Sequence, residues 1–425
     1  GEVSAFTEDD RTTLMKLNKE MATQALRVLA MAYKVIDTLP ETVDSDSIEH
    51  DLIFAGLVGM IDPERKEAAA AIKVAQSAGI RTIMITGDHR DTAQAIAKRL
   101  GILRPDQEDG VLTGGELNDI SDEELERTVE TYSVYARVSP EHKVRIVKAW
   151  QKNGKVVSMT GDGVNDAPSL KQADIGVGMG ITGTEVSKGA SDMVLADDNF
   201  ETIVVAVEEG RKVFANIQKA VQYLLSANFG EVMTMFVATM AGWSILEPIH
   251  ILWINLVTDV FPAIALGLEE AEADIMNHPP RGKGSNFLSN GVLPSIFYQG
   301  FFEGGITLFV FWYATEVAKW GNPVGETMAF ATLGLIQLFH AFNVKSVYKS
   351  LGQVGAFKNK MFNYAILLSA VMLLSVMVIP GLTTVFDVAT LTAGQWLFVV
   401  ASAFSIVPIV EIAKAIMRAM GMDKD

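Results

Sequence analysis

The sequence predicts an α/β domain of the doubly wound, Rossmann type followed by an all-α membrane domain of six transmembrane helices. The first observation is charge: residues 1–210 of the 425-residue chain carry 37 acidic and 22 basic side chains, whereas residues 211–425 carry 14 and 13. The second is that all apolar runs long enough to cross a bilayer lie in the second half. A charged half joined to a nearly uncharged apolar half is typical of a polytopic membrane protein.

Composition excludes several classes of protein. The formal net charge is −16 and there is no basic cluster, which argues against a nucleic-acid partner. The chain has no cysteine, so disulfide scaffolds, thiolate zinc sites and iron–sulfur clusters are ruled out.

The first half alternates short apolar runs with amphipathic stretches. The amphipathic stretches at 66–78 and 91–100 predict helices. The apolar runs predict parallel strands at 52–61, 82–85, 156–159, 175–177 and 193–195. In such a sheet, ligands bind at the carboxyl ends of the strands.

The second half contains six apolar runs, each near the ~20 residues that a spanning helix needs. They lie at 213–243, 248–268, 291–314, 327–344, 361–382 and 395–417. Basic residues concentrate in alternate connections and after the last run, which predicts that the first half and the C-terminus are both cytoplasmic. These residues are Arg281, Lys283, Lys345, Lys349, Lys358, Lys360, Lys414, Arg418 and Lys424.

The most informative segment is 161–168, which reads Gly-Asp-Gly-Val-Asn-Asp-Ala-Pro after an apolar run. It places the carboxylates of Asp162 and Asp166 on a glycine-rich loop together with the Asn165 amide. Two hard carboxylates beside a phosphate suit Mg²⁺. A tight turn with surface acids is the alternative interpretation.

Two further segments fit around this loop. Thr86, followed by Gly87 and Asp88, ends the run at 82–85 and can donate to a phosphoryl oxygen. Lys143 opens a predicted helix and can neutralise a transferring phosphoryl group. Taken alone, Thr86 could instead mark a capped helix start, and Lys143 could be a surface lysine.

Together, the threonine, the lysine and the aspartate pair resemble the phosphate-handling set of the haloacid-dehalogenase fold. Segments 86–88 and 161–168, with Asp62-Pro63-Glu64-Arg65, resemble the signature segments of P-type cation-transporting ATPases, although the family usually has Asp-Pro-Pro-Arg. The resemblance implies that Asp162 holds Mg²⁺, that Asp166 and Asn165 shape the site, and that Lys143 and Thr86 bind the phosphoryl group. It also implies that Arg27 and Arg137 contact ATP. A solvent-facing helix residue is the alternative for Arg27.

The family's phosphorylated aspartate lies in Asp-Lys-Thr-Gly-Thr, which does not occur in this sequence. Segments resembling the actuator domain and the first four spans are not found either. We therefore expect the chain to be the C-terminal half of a pump and its partner to be the N-terminal half. The expected divisions are a remnant of the nucleotide-binding domain at 1–45, the phosphorylation domain with its stalk at 46–212, and the transmembrane domain, in contact with membrane lipid, at 213–425.

Oxygen-bearing side chains recur inside two of the apolar runs. Asn228 and Glu231 are three residues apart, and Asn255, Thr258 and Asp259 follow the same helical spacing. Buried carboxylates are costly in a membrane, and ligation by oxygen alone suits a hard cation such as Ca²⁺. The pattern resembles calcium pumps of the sarco/endoplasmic-reticulum type, whereas sodium–potassium pumps usually have a carboxylate at the position of Asn255.

The fourth run has Gln337 where two-site calcium pumps have glutamate. We therefore expect Gln337 to join the cation site and one Ca²⁺ to be carried per cycle; a helix–helix hydrogen bond is the alternative. Glu303 and His340 also fall within apolar runs, and the sequence assigns neither a role. The cation could instead be Mn²⁺, Na⁺ or H⁺, and the chain could be a non-catalytic regulatory half-pump. The bacterial plasma membrane is the expected location.

Overall fold

The computed structural model describes residues 3–24, 26–38, 44–60, 64–289 and 291–421. Two compact units are present. The first comprises Gly1–Val207 and Met276–Lys283, and the second comprises Glu208–Ile275 and Gly284–Asp425. Asp62 and Pro63 of the predicted signature segment lie outside the described residues.

The described part of the first unit contains eight strands in three sheets. The strands are β1 (Arg27–Tyr33), β2 (Ile53–Met60), β3 (Met84–Ile85), β4 (Val111–Thr113), β5 (Val134–Ala136), β6 (Ser158–Gly161), β7 (Ile175–Met179) and β8 (Met193–Leu195). Two three-stranded sheets are parallel, with orders β3-β5-β4 and β6-β7-β8. Parallel strands separated by helices are the arrangement that the sequence predicts, divided between two short sheets.

The run at 52–61 does form a strand, but the prediction that it is parallel is wrong. β2 pairs antiparallel with β1, with Arg27 opposite Met60 and Tyr33 opposite Ile53. The two strands form a ribbon of their own in which most side chains are exposed. The period of apolar residues cannot separate a buried parallel strand from a ribbon of this kind.

Helix α1 precedes the first strand, the other helices of the first unit lie between strands, and two of them match the predicted amphipathic stretches. They are α1 (Glu8–Thr23), α2 (Ser45–Ile48), α3 (Lys66–Ser77), α4 (Arg90–Arg99), α5 (Gly114–Asp119), α6 (Asp122–Thr128), α7 (Pro140–Lys152), α8 (Ala167–Gln172) and α9 (Glu185–Ala190). Short 3₁₀ turns occur at Val129–Thr131, Val164–Asp166 and Ile275–Asn277. The start of α7 is fixed by Ser139, which caps it, and by Pro140 in its first turn.

Every regular element among the described residues of the second unit is a helix. Its longest helix, α10 (Phe200–Ala241), begins in the first unit and continues without interruption. The others are α11 (Pro248–Ile254), α12 (Val260–Gly267), α13 (Val292–Trp312), α14 (Asn322–Asn343), α15 (Leu351–Val354), α16 (Lys360–Val378), α17 (Leu382–Val385), α18 (Ala393–Phe404) and α19 (Ile406–Ala419). Helix α14 is central, because most of its side chains are buried.

A π-helical segment, Asn255–Asp259, joins α11 to α12. Pro262 has no N–H to give to the carbonyl of Thr258 four residues earlier. The hydroxyl of Tyr223, on α10, donates to that carbonyl instead. The widened turn is therefore stabilised from a neighbouring helix, as is common for π segments at functional positions.

Four described helical stretches are long and apolar enough to cross a membrane. They are Phe200–Ala241, Pro248–Gly267, Lys360–Val378 and Ala393–Ala419. The predicted runs at 291–314 and 327–344 also form helices, α13 and α14, but polar residues such as Gln299, Glu303 and His340 interrupt them. Length and composition thus support a membrane protein and give four spans where six were predicted.

Candidate functional site

The first unit contains a cavity of about 400 Å³ at the carboxyl ends of β6 and β7. This is the edge at which ligands of parallel sheets bind. Its lining residues are Arg65, Ile85, Lys143, Thr160, Gly161, Asp162, Asp166, Met179, Thr182, Asp198 and Phe200. Three residues that the sequence predicts to act together, Lys143, Asp162 and Asp166, are therefore brought together.

Asp166 is buried and both its carboxylate oxygens are occupied. Lys143 Nζ lies 2.5 Å from Asp166 Oδ1. The backbone N–H groups of Asp162 and Gly163 donate to Oδ2 over 3.2 and 3.1 Å. Asp166 thus fixes both the loop and the lysine, and the lysine ammonium is held at the cavity wall.

Asp162 has the opposite character, since its side chain is exposed while its backbone is fixed. Its carbonyl accepts from Thr184 N–H and from Ser187 Oγ, each over 2.9 Å. Gly161 permits the turn, because a Cβ there would lie 2.5 Å from Asp166 Cβ. The Asp162 carboxylate is therefore positioned at the cavity and accessible to a ligand. Asn165 lies in the adjoining 3₁₀ turn and is exposed.

Asp198 is a cavity residue that the sequence analysis missed. It is 6% exposed and has a left-handed φ of 52°. Its carboxylate accepts from the N–H groups of Ile181 and Thr182 and from the Thr182 hydroxyl, over 2.8 to 2.9 Å. Arg65 donates to its backbone carbonyl. The acidic pair 197–198 follows β8 after one alanine, much as Asp162 follows β6, so the same sequence pattern could have identified Asp198.

These hydrogen bonds make the loop at 180–184 dependent on pH. The Ile181 N–H, followed by the Thr182 N–H and hydroxyl, lowers the pKa of Asp198 from 3.8 to about 2. Because the folded pKa is the lower one, ionised Asp198 stabilises the loop above pH 3.8, and this contribution is lost as the pH falls towards 2. We expect hydrogen exchange at 179–184, corrected for intrinsic rates, to increase over that interval.

The control for this experiment is the Asp198→Asn variant, in which exchange should already be faster at neutral pH and should change little over the same interval. The exposed Asp109→Asn variant controls for the change in net charge. Equal pH profiles for the wild type and Asp198→Asn would contradict the assignment.

Thr86 follows β3 as predicted, but it is not among the residues that line the cavity, although its neighbour Ile85 is. Its hydroxyl donates to Asp88 Oδ2 over 2.9 Å and accepts from the Asp88 N–H over 3.1 Å. Gly87, between them, is exposed and a Cβ there would meet no atom within 4 Å. Segment 86–88 is therefore a closed turn next to the cavity.

The two arginines predicted to contact a nucleotide lie apart from the cavity lining. Arg137 follows β5, is exposed, and has a left-handed φ of 52°. Its N–H donates to the Asp88 carbonyl over 3.1 Å, which ties it to the turn at 86–88. Arg27 faces solvent, as its alternative interpretation has it, but it lies on strand β1 and not on a helix.

The second unit contains a buried polar cluster around Gln337 of α14. Gln337 Nε2 donates to Glu231 Oε1 over 2.9 Å, and Thr258 Oγ1 donates to Gln337 Oε1. Thr258 and Gln337 are fully buried and Glu231 is 5% exposed. A single amide thus joins α10, the π segment and α14 inside the helical unit.

Asp259 and Asn255 extend this cluster, whereas Asn228 does not. Asp259 is 5% exposed, and its Oδ1 has no hydrogen-bond partner among the described residues. Asn255 begins the same π segment, one helical turn before Asp259. Asn228 is exposed, and its Nδ2 donates over 2.7 Å to the Leu224 carbonyl of its own helix. Five of the six residues predicted to bind the cation therefore lie in or beside one buried cluster.

The donor set of the cavity fits Mg²⁺ better than a softer metal. It offers the exposed Asp162 carboxylate and the Thr160 and Thr182 hydroxyls, and no thiol, whereas both oxygens of Asp166 already accept from Lys143 and from backbone N–H groups. Among the described residues, no three acidic or histidine side chains are placed so that together they could hold one metal ion. A site with one or two carboxylates is what Mg²⁺ uses when a phosphate completes its coordination.

Two family models match the two halves of the chain. Residues 4–174 match the model of haloacid dehalogenase-like hydrolases, and residues 243–416 match that of the C-terminus of cation-transporting ATPases. The chain is therefore similar to haloacid dehalogenase-like hydrolases in its first half and to cation-transporting ATPases in its second half. The haloacid-dehalogenase assignment of the α/β unit agrees with its parallel strands and the carboxylates at their ends.

Bacterial calcium-transporting ATPases are similar over almost the whole chain. Calcium-transporting ATPase 1 of Bacillus cereus is 46% identical over 96% of the chain, which covers 47% of that relative. Calcium-transporting ATPases of Bacillus subtilis and Listeria monocytogenes are 43% and 41% identical over 94% and 98% of the chain, covering 45% and 47% of their lengths. The chain spans about half the length of the relatives it matches.

Proposed function

We propose that this chain takes part in ATP-driven transport of Ca²⁺ through an aspartyl-phosphate intermediate. In this proposal it supplies the Mg²⁺ and phosphate site and most cation ligands, and a segment outside the 425 residues supplies the phosphorylated aspartate. The observation that carries the proposal is the pair of buried carboxylates, Glu231 and Asp259, beside Thr258 and Gln337 inside a helical unit.

A hard divalent cation explains this cluster better than a structural role does. Two carboxylates that share a buried site without a basic partner repel each other and lose hydration. A bound cation offsets both costs, and carboxylate, amide and hydroxyl oxygens are the ligands that Ca²⁺ takes. The calcium-transporting relatives support Ca²⁺ over Mn²⁺, Na⁺ or H⁺. Asn228 enters the site only if its side chain leaves the Leu224 carbonyl.

At the cavity, Asp162 would hold Mg²⁺, which when bound would neutralise charge on phosphate oxygens. Lys143 provides a fixed positive charge for the transferring phosphoryl group, and Asp166 orients that lysine. We assign Thr86, Gly87 and Asp88 to phosphoryl binding, with Asn165 shaping the loop. We assign Arg27 and Arg137 to ATP binding. The Arg137 N–H donates to the Asp88 carbonyl and so links the ATP-binding residues to the phosphoryl-binding turn at 86–88.

We propose that α10, the α11–α12 pair, α13, α14, α16 and the α18–α19 pair all cross the membrane, which gives six spans. Helices α13 and α14 can carry more polar residues than lipid-facing helices because their polar side chains are buried inside the unit. The basic residues between runs favour a cytoplasmic first unit. A bacterial plasma membrane is consistent with the bacterial relatives.

Gln337 leads us to propose a single Ca²⁺ per cycle. Its amide donates to Glu231 and accepts from Thr258, so it satisfies both groups without a cation. A glutamate at this position could not donate to Glu231 unless it held a proton. We therefore expect Gln337→Glu to increase the calcium bound per phosphorylated molecule above the wild-type value of one, or to make calcium affinity more dependent on pH.

The test is phosphorylation from radiolabelled ATP by this chain co-expressed with a polypeptide that carries the N-terminal half of a pump. We expect an acid-stable phosphoenzyme that requires Ca²⁺, with one calcium bound per phosphoenzyme. If phosphoenzyme formation requires Mn²⁺ or Na⁺ instead of Ca²⁺, the proposed pump function stands and Ca²⁺ is the wrong ion. If the two polypeptides associate and no phosphoenzyme forms with any cation, the non-catalytic regulatory alternative stands.

A further inference from the structure

Glu303, on α13, is an acidic residue that belongs to neither the phosphate site nor the cation cluster. Its side chain is fully buried, and neither carboxylate oxygen has a hydrogen-bond partner among the described residues. Nε2 of His340, on α14, lies 3.5 Å from Glu303 Oε1. His340 is also fully buried, and its Nδ1 has no partner in the part of the chain that the structure describes.

Close packing of α13 against α10 fixes the position of Glu303. A Cβ at Gly230 would lie 3.1 Å from Glu303 Cβ and 3.4 Å from its Oε2. The helices can approach here only because residue 230 is glycine. Glu303 is therefore pressed against the residue that precedes Glu231 of the cation cluster.

The hydrogen bonds of His340 identify Glu303 as the group that holds a proton. The Ser226 hydroxyl donates to the Tyr223 carbonyl over 3.0 Å, so its oxygen accepts from His340 Nε2 over 3.1 Å. That leaves the Glu303 carboxylate without a hydrogen bond among the described residues and 3.5 Å from His340 Nε2. A charge with so little support is too costly in a buried site, whereas a neutral carboxylic acid is not.

The charged groups around Glu303 and His340 also favour a protonated, neutral Glu303. Glu231 of α10 and Asp259 of the π segment act electrostatically on Glu303, and Tyr223 of α10 stacks on His340 with ring centroids 6.4 Å apart. Lys414 of α19 acts on His340 and opposes a positive charge there. Two nearby carboxylates disfavour a third negative charge, and a cation bound between them would remove that effect.

We propose that Glu303, beside His340, is a second ion site of the helical unit and that its ion is a proton, released when a cation occupies Glu231 and Asp259. This rests on the proposed function of those two residues. In the release step the O–H bond of the carboxylic acid breaks, its electron pair stays on Glu303, and the proton leaves to solvent. The added negative charge is balanced by the bound cation.

Buried polar side chains line a route for that proton. On α10, Lys219, Gln222 and Ser226 recur at one-turn spacing and are each at most 5% exposed. Gln222 Nε2 donates over 3.0 Å to Oε1 of Gln299, which lies one turn before Glu303 on α13. The stripe leads from His340 and Ser226 to Lys219, which lies 3.9 Å from Glu272.

The experiment uses this chain with its complementing polypeptide in lipid nanodiscs. Protons released per calcium bound are counted with a pH dye in weakly buffered solution, and calcium affinity is measured against pH. We expect Glu303→Gln to release up to about one proton fewer per calcium than the wild type and to reduce the pH slope of calcium affinity accordingly. The matched control is Thr307→Val, one turn along α13, which removes a fully buried hydroxyl that cannot titrate in this range.

An unchanged proton count in Glu303→Gln, or an equal loss in Thr307→Val, would overturn the proposal. Infrared spectroscopy without calcium gives an independent readout: a carboxylic-acid carbonyl band should be present in the wild type and absent in Glu303→Gln. If no such band depends on Glu303, the proposal fails. If calcium binds to none of the proteins but the band behaves as expected, the proposed cation function fails and the protonated Glu303 stands.

Discussion

Calcium-dependent phosphorylation should be lost when Asp259 is replaced by asparagine, although the protein should fold. Asp259 is 5% exposed, and its Oδ1 has no hydrogen-bond partner among the described residues. Its carboxylate is therefore unused by the protein itself and remains available to a ligand. Asparagine keeps the shape but removes the carboxylate that a bound cation would need. We expect the calcium concentration for half-maximal phosphorylation to rise about 100-fold or more, as when one partner of a buried charge pair is removed.

The measurement is phosphoenzyme formed from radiolabelled ATP as calcium is varied, with the complementing polypeptide present. Glu316→Gln is the control, since it neutralises an exposed acid in the π segment Tyr313–Val317. The size-exclusion elution volume and the thermal stability of the Asp259→Asn variant should match those of the wild type. Unchanged calcium dependence in this variant would remove Asp259 from the cation site.

The parts of the site that lie in one short segment could be predicted from the sequence. Asp162 and Asp166 share a loop after β6, and a strand followed by glycines and carboxylates is recognisable without a structure. Lys143 is predicted from its position at the start of a helix, and the family resemblance supports that assignment. Asp198 reaches the same cavity from the end of β8, and only the pairing of β6, β7 and β8 brings it there. Contacts between distant segments depend on the tertiary fold, which local patterns do not specify.

The cation cluster illustrates a second limit. Spacing placed Asn228 and Glu231 on one helix face, yet Glu231 is buried and Asn228 is exposed. Residues three apart differ in direction by about 60°, which is enough to separate the edge of a buried face from its centre. Which of them faces inward is decided by neighbours such as α13, which packs against Gly230. The π segment at Asn255–Asp259 was likewise not predicted, since it needs the hydroxyl of Tyr223 from another helix.

Replacing Lys143 by alanine should have an effect as large as that of Asp259→Asn, at the other site. Lys143 Nζ lies 2.5 Å from Asp166 Oδ1, and its side chain is 21% exposed, so its charge is partly desolvated and fixed at the cavity. Alanine leaves Asp166 without its counter-charge and makes the cavity more negative where phosphate must bind. We expect phosphoenzyme formation at saturating calcium to slow by about 10²- to 10³-fold, the loss typical when one fixed electrostatic group is removed from a catalytic site.

Two variants separate this effect from a loss of helix stability. Lys148→Ala changes an exposed lysine on the same helix, α7, and should phosphorylate at the wild-type rate. Lys143→Arg keeps the charge but brings a planar, wider group to a 2.5 Å contact, so it should recover only part of the rate. Because Lys143 and the cation cluster lie in separate units, calcium affinity should be unchanged in Lys143→Ala. A wild-type rate of phosphorylation in Lys143→Ala would show that Asp166, and not the phosphoryl group, is the only partner of this lysine.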